Sequence, residues 1–339
     1  MENFNLFTIK DRNSLLKVRK GESKFGEHVH LLPKLTNIYD DIVNLDVDYV
    51  IFGISEDIGV YANHGKPGTY TAWENSLNFL LNTQNNKQNG GKRVLILGDL
   101  SYDNDRKRLL SLDLDKKKNL AEVRTFVETI DKDVTYLVSS IVRAGKTTII
   151  IGGGHNNSYG NIKGTALAKN GRINVVNLDA HTDFRPEEGR HSGNGFSYAY
   201  AEGFLKRYFI FGLHENYTSD KLFKTLKKIK HISYNTYESL EVKNDTDFKS
   251  QLDFALNYIS EKTFGIEIDC DAIENMPSSA KSPSGFSTKQ ARQFVNHFAS
   301  HKNASYLHIC EAAPKKKTDA KVGKFISYLI TDFIRANGN

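Results

Sequence analysis

Six residues in three short clusters have the types and spacing to hold metal ions. Gly152-Gly153-Gly154 leads into His155, Asp179-Ala180-His181-Thr182-Asp183 alternates carboxylate, imidazole and carboxylate, and Asp269-Cys270-Asp271 repeats the alternation with two carboxylates. In extended chain, residues i, i+2 and i+4 lie on one side, so each alternating cluster presents its polar groups together. By the same rule Cys270 points the other way, and no thiolate is expected among the ligands. Four carboxylates and two imidazoles suit a hard or borderline cation such as Mn2+, and carboxylates can bridge two ions. Two ions held roughly 3.5 Å apart can generate hydroxide at neutral pH beside an electrophilic carbon. Carboxylates packed this closely would repel one another strongly unless a cation or protons neutralised them. A lone histidine after a glycine run, or a lone Asp-x-Asp, is ordinarily a turn or a cap. Together the three clusters read as one metal site.

The elements that must bring the clusters together show as an alternation. Short β-branched runs at residues 49–54, 93–97, 147–151, 173–178, 208–211, 264–268 and 306–309 read as strands. Residues 119–143, 248–260, 288–301 and 325–336 have apolar positions at i, i+3, i+4 and i+7 and read as amphipathic helices, while 71–81 fits that period less cleanly. Strands alternating with helices predict an α/β fold with a parallel sheet. Ligands of such a sheet bind beyond the carboxyl ends of the strands, and each cluster directly follows a strand, so the three are expected to converge there. The polar, turn-rich segment 82–92 reads as a surface loop, and the charged segment 99–118 as partly helical at most.

With 39% hydrophobic and 25% charged residues, the 339-residue chain is biased toward neither disorder nor fibres, and one domain over 1–339 is expected. No apolar run has the length of a membrane span. The N-terminal MENFNLFTIKDRNS has neither a basic region nor an apolar one, which predicts a cytoplasmic protein that does not enter a membrane. The only cysteines, Cys270 and Cys310, lie in apolar runs and read as buried free thiols in a reducing compartment. The net charge of +6 comes from lysines scattered over 116–118, 224–230 and 315–317, without an aromatic-interleaved basic stripe, so no nucleic-acid partner is expected. A mild positive field favours an anionic small substrate.

At the metal clusters the chain resembles the ureohydrolase superfamily of arginases, agmatinases and formimidoylglutamases. The family's Asp-Ala-His-x-Asp is matched in full at 179–183. Its Asp-x-Asp is matched at 269–271, with Glu267 and Glu274 where Ser and Asp are commoner, and its Gly-Gly-x-His at 152–155, with Gly154 where many members carry Asp. Asp57-Ile58-Gly59-Val60, Asn63-His64-Gly65-Lys66-Pro67-Gly68 and Ser192-Gly193-Asn194-Gly195-Phe196 are similar to patterns of the formimidoylglutamase branch, and Glu311-Ala312-Ala313-Pro314 resembles the family's Glu-x-x-Pro. The likeness runs from about Tyr49 to Pro314.

The resemblance implies a three-layer α/β/α sandwich with a mostly parallel sheet and a pair of Mn2+ ions at its carboxyl edge. One ion would take His155, Asp179, Asp183 and Asp269, and the other Asp179, His181, Asp269 and Asp271. Activated water would attack the carbon of an amidino or guanidino group, Asp183 would help to move the proton, and Glu311 would bind the substrate's NH groups. His191, one residue before the agmatinase position of a proton-shuttling histidine, is the candidate for that role. Arg190 and Arg185 flank the metal motif and can meet a substrate carboxylate bidentately. Asn194, and Glu215 and Asn216 of the loop 212–217, are further candidates for substrate contact. The implied reaction is hydrolysis of N-formimidoyl-L-glutamate to L-glutamate and formamide, the alternative being a guanidino hydrolase that releases urea. A homo-oligomer is implied as well.

Overall fold

The computed structural model describes residues 2–338. Nine strands form one sheet: β1 (Phe4–Leu6), β2 (Tyr49–Ser55), β3 (Val94–Ser101), β4 (Thr147–Ile151), β5 (Ile173–Leu178), β6 (Leu205–Leu213), β7 (Ile232–Thr236), β8 (Phe264–Asp269) and β9 (Ala304–Cys310). Their order is β1-β3-β2-β4-β9-β8-β5-β6-β7. Every pairing is parallel except that of β1 with β3.

A parallel sheet covered on both faces needs apolar residues on both, which is why β4 and β5 are near-continuous aliphatic runs. Ile149, Ile151, Val176 and Leu178 face one core with the helices Ala72–Leu80, Phe248–Ile259, Thr288–Ala299 and Asp319–Asn337. Ile150, Ile173 and Val175 face the other with Lys117–Arg143, Ser158–Ala168 and Gly195–Ala201. The result is three layers, α/β/α. Among the described residues no helix is long and apolar enough to cross a membrane.

All seven expected strands are present; β4 and β5 have the expected bounds, β2 and β8 run one residue longer, β3 continues to Ser101, β6 spans Leu205–Leu213 and β9 spans Ala304–Cys310. The two strands not foreseen, β1 and β7, are the outermost of the sheet. Each has a single neighbour and is only partly buried, so neither carries an apolar run. Segment 99–118 divides into the end of β3 and a helix at Asp103–Leu109, and 82–92 is a loop with isolated bridges. Helix Ser158–Ala168 was hidden by its glycines and by burial on nearly all sides. A Cβ at Gly160 would lie 2.7 Å from Val134, and one at Gly164 2.8 Å from Val138 Cβ. These glycines let the helix pack closely on Lys117–Arg143 while erasing its amphipathic period.

The central strands β4, β9, β8 and β5 are contiguous and parallel, so their carboxyl ends lie side by side. They are the strands that end at 152–155, Glu311, 269–271 and 179–183.

Candidate metal centre

Beyond β4 the chain turns through Gly152 and Gly153, whose φ values of +91° and +75° lie in the left-handed region. A Cβ at Gly153 would also sit 2.3 Å from Asn157 Nδ2. The turn delivers His155, whose backbone N–H donates to Glu311 Oε1 at 2.8 Å, while Gly154 N–H donates to the buried Glu56 Oε1 at 2.8 Å. Past β5 and β8, Asp179 Oδ1 accepts from His181 N–H at 2.7 Å and Asp269 Oδ1 from Asp271 N–H at 2.6 Å. Each carboxylate is thereby fixed by its own turn. Asp183 and Glu311 have positive φ, +43° and +59°, backbone strain held at the ends of the clusters.

His155 Nδ1 lies 3.2 Å from Asp179 Oδ2, 2.8 Å from Asp183 Oδ2 and 3.1 Å from Asp269 Oδ2. Ligand-competent atoms of these four residues all lie within 4.8 Å of one another. They are the four that the resemblance assigns to one ion. On the solvent side, His181 Nδ1 lies 3.6 Å from Asp179 Oδ1 and 4.0 Å from Asp271 Oδ2. The structure thus brings all six residues together. Their nitrogen and oxygen donors converge as a carboxylate-rich set, which fits hard or borderline divalent cations.

The electrostatics express the same crowding. Burial, then Asp179 and Asp271, push the Asp269 carboxyl well above its ordinary range, and burial and Asp179 raise Asp183. Burial works against a charged His181, yet Asp179, Asp271 and Asp183 raise it to about 10. His155 is likewise raised against burial, by its carboxylate neighbours Asp179, Asp183 and Asp269.

The six-residue cluster floors a cavity of about 330 Å3 reached by His181, Asp183, Asp269, Asp271 and Glu311, with Arg185, Asn63, Ser192 and Tyr217 in its walls. Glu311 is buried, and its Oε2 has no hydrogen-bond partner. Burial and Asp271 push its carboxyl up to about 8. Arg185 is half-exposed, donates to Asn63 Oδ1 at 2.6 Å and Glu188 Oε1 at 2.9 Å, and among the described residues is the one guanidinium lining the cavity.

Four expectations are corrected. Arg190 is fully engaged elsewhere: Nε donates to Asp131 Oδ2 at 2.7 Å, and its terminal nitrogens donate to Asp131, Asn194 and the Asn156 carbonyl. Its guanidinium lies 4.9 Å from the rings of both Tyr159 and Tyr198, beside a separate cleft of about 520 Å3. Asn194 is buried and spends its side chain on Arg190, His191 N–H and the Gly189 and Pro186 carbonyls. His191 does not line the metal cavity; its Nδ1 accepts from Gly193 N–H at 3.1 Å, and burial with Arg185, Arg124 and Arg190 pushes the imidazole down to about 3. Its Nε2 lies 3.3 Å from Glu188 Oε1, so the buried ring, kept neutral, is not placed to shuttle a proton into the cavity. Glu215 and Asn216 are exposed and outside the cavity, Glu215 binding Lys243 and Thr236.

From the same loop it is Tyr217 that enters, its ring stacked on His181 at 5.4 Å and 22°. Its place at the carboxyl end of β6 was the available signal. Cys310 also comes within the neighbourhood of His155 and His308. Burial pushes its thiol well up, so it stays protonated and is a poor ligand.

A family model described as Arginase family matches residues 47–334. The formimidoylglutamase of Macrococcus caseolyticus is 25% identical over 295 residues, covering 86% of this chain and 85% of that protein. That of Streptococcus pyogenes serotype M12 is 23% identical over 295 residues, covering 83% and 84%. Among solved structures, Trypanosoma cruzi formiminoglutamase with Mn2+2 aligns with a TM-score of 0.69 at 19% identity, covering 88% of this chain and 97% of that one. The formimidoylglutamase of Bacillus subtilis subsp. subtilis aligns with a TM-score of 0.70 at 16% identity, covering 97% and 98%. The structural likeness establishes the three-layer fold.

Two outcomes follow from this geometry. Arg190→Ala leaves Asp131 buried without its partner and should cost about 3–5 kcal/mol in urea unfolding; a loss below about 1 kcal/mol would contradict the fastening role. The raised His155 and His181 hold protons at neutral pH that an incoming ion must displace. Calorimetry across buffers should therefore show proton release on Mn2+ binding, with affinity rising about tenfold per pH unit for each proton displaced between about pH 6.5 and 8.5. Flat pH dependence would remove these imidazoles from the ligand set.

Proposed function

The chain belongs to the arginase family, and we propose that it is a formimidoylglutamase-type amidinohydrolase that splits N-formimidoyl-L-glutamate and water into L-glutamate and formamide. The observation that carries this reading is the buried Glu311, which lines the cavity beside the six-residue cluster and whose Oε2 has no hydrogen-bond partner among the described residues. A cationic amidine entering beside Glu311 favours its ionised form, offsetting the burial and the Asp271 charge that raise it, and the carboxylate can then take the amidine's N–H groups, while Arg185 in the wall can take a carboxylate of the same substrate. The similar formimidoylglutamases support that choice of substrate.

His155, Asp179, Asp183 and Asp269 would hold one divalent ion, and Asp179, His181, Asp269 and Asp271 the other, Mn2+ being the choice that the Trypanosoma cruzi relative supports. Such ions supply water activated at neutral pH. Glu311 orients the amidine so that its carbon faces that water, and holding the reactants in register removes much of the entropic barrier. Asp183, at the cavity floor, accepts the water's proton and returns it to the departing nitrogen. The water oxygen becomes the formamide oxygen, and the amine of glutamate leaves. Tyr217, stacked on His181, narrows the approach. Cys270 and Cys310 are free and buried, which supports a cytoplasmic setting.

Mn2+-loaded protein incubated with formimidoylglutamate, agmatine, arginine and guanidinobutyrate should yield formamide from the first far faster than urea from the others. Preference for a guanidine would move the urea-releasing reaction into first place. Glu311→Gln should lower kcat/KM at least tenfold with bound metal unchanged, and unchanged kinetics would remove Glu311 from the site. Arg185→Ala should raise KM for formimidoylglutamate about tenfold with a smaller effect on kcat, because the carboxylate contact is equally strong before and during reaction. An unaltered KM would show that another group reads the acid.

A further inference from the structure

Beneath Asp269 the paired strands β8 and β9 carry a buried polar ladder. Gly265 pairs with Tyr306, Glu267 with His308 and Asp269 with Cys310. Residues two apart share a strand face, so Glu267 lies directly below Asp269. Glu267, Tyr306 and His308 are all fully buried. Glu267 Oε1 accepts from the Tyr306 hydroxyl at 2.8 Å, and Oε2 faces His308 Nδ1 at 2.5 Å. The other end of the His308 ring faces the Gly152 carbonyl at 3.3 Å. Gly265 makes room for this clamp, since a Cβ there would lie 2.0 Å from the Tyr306 ring.

The clamped carboxylate is aimed at a metal ligand. Oε2 lies 3.6 Å from His155 Nε2, a buried nitrogen without a hydrogen-bond partner. That is about half an ångström beyond a good hydrogen bond, so a small ring shift completes it. The rival neighbour, Cys310, offers only a weak sulfur acceptor. His155 binds through one nitrogen only, because its Nδ1 faces Asp179, Asp183 and Asp269. For Nδ1 to present a lone pair, the ring proton must sit on Nε2.

We propose that Glu267, clamped by Tyr306 and His308, is the positioning residue for His155: as an acceptor-only group it accepts a hydrogen bond from Nε2–H, which holds the ring proton there and keeps the Nδ1 lone pair aimed into the six-residue cluster. A buried carboxylate stands here where the resembling family commonly has a serine, whose short hydroxyl can donate as well as accept and so does not impose one tautomer. The inference rests on the metal reading of the cluster but not on the identity of the substrate.

The test uses full-length Mn2+-loaded protein equilibrated with chelator-buffered Mn2+ over a range of free concentrations, with bound metal per chain read by mass spectrometry and folding by circular dichroism. Wild type should show two sites. Glu267→Gln, which presents an N–H to His155, should weaken one site roughly 10–100-fold and leave the other within about threefold. Tyr306→Phe, which removes one arm of the clamp, should weaken the same site severalfold, and it decides the matter alone if Glu267→Gln does not fold. Wild-type affinities in the folded variants overturn the proposal, as does equal weakening of both sites, the signature of a merely structural role. A wild-type chain that binds no ion overturns the metal reading and this inference with it.

Discussion

The structure is organised around a repulsion. Atoms of Asp179, Asp183 and Asp269 lie within 4.8 Å of one another at the ends of buried strands. Unit charges at such a separation repel by about 3 kcal/mol or more per pair even at an effective dielectric of 20. Three pairs approach roughly 10 kcal/mol, comparable with the whole net stability of ~5–15 kcal/mol of a folded domain. Protons or cations must therefore occupy the space between them. The raised carboxyls of Asp183 and Asp269 and the raised imidazoles of His155 and His181 are the protonic answer, and divalent ions use the same donors without protonating them.

Holding such a site together asks more of the fold than a sheet with strands in the right order. Gly152 and Gly153 turn the chain where other residues would clash or strain, and Asp183 and Glu311 are held in left-handed conformations. The pair Arg190 and Asp131 fastens the loop after Asp183 to helix Lys117–Arg143 and, through the Asn156 carbonyl, to the residue that follows His155. Arg190 thus serves the site from behind it, while Arg185, five residues earlier, reaches the cavity. Both arginines sit in the same loop, and only the packing around them separates their roles.

The clustering of these residues was legible because period-two spacing after a strand is a local property: Asp179, His181 and Asp183 declare their common side within five residues. The strands beneath them were legible for the same reason, being buried on both faces. The edge strands β1 and β7, half-wet and mixed in composition, and helix Ser158–Ala168, glycine-rich and packed tightly, carry no such local signal. Partners far apart in sequence were not legible either. Arg190 and Asp131 are 59 residues apart, and Glu267 and His308 are 41. A loop arginine is ordinarily solvated, and nothing near Arg190 in the sequence states that it is buried. His191 and Asn194 followed the same course, since a polar residue in a functional motif can be a contact or a brace, and burial decides between them.

Two divalent cations would relieve the carboxylate crowding where β4, β5 and β8 end. Crystals grown with Mn2+ and measured at the manganese absorption edge test it most directly, because anomalous scattering locates the ions independently of any assumed ligand. Two peaks per chain roughly 3.5 Å apart are expected, with Asp179 and Asp269 each touching both. A single peak, or two peaks that share neither carboxylate, would contradict that arrangement.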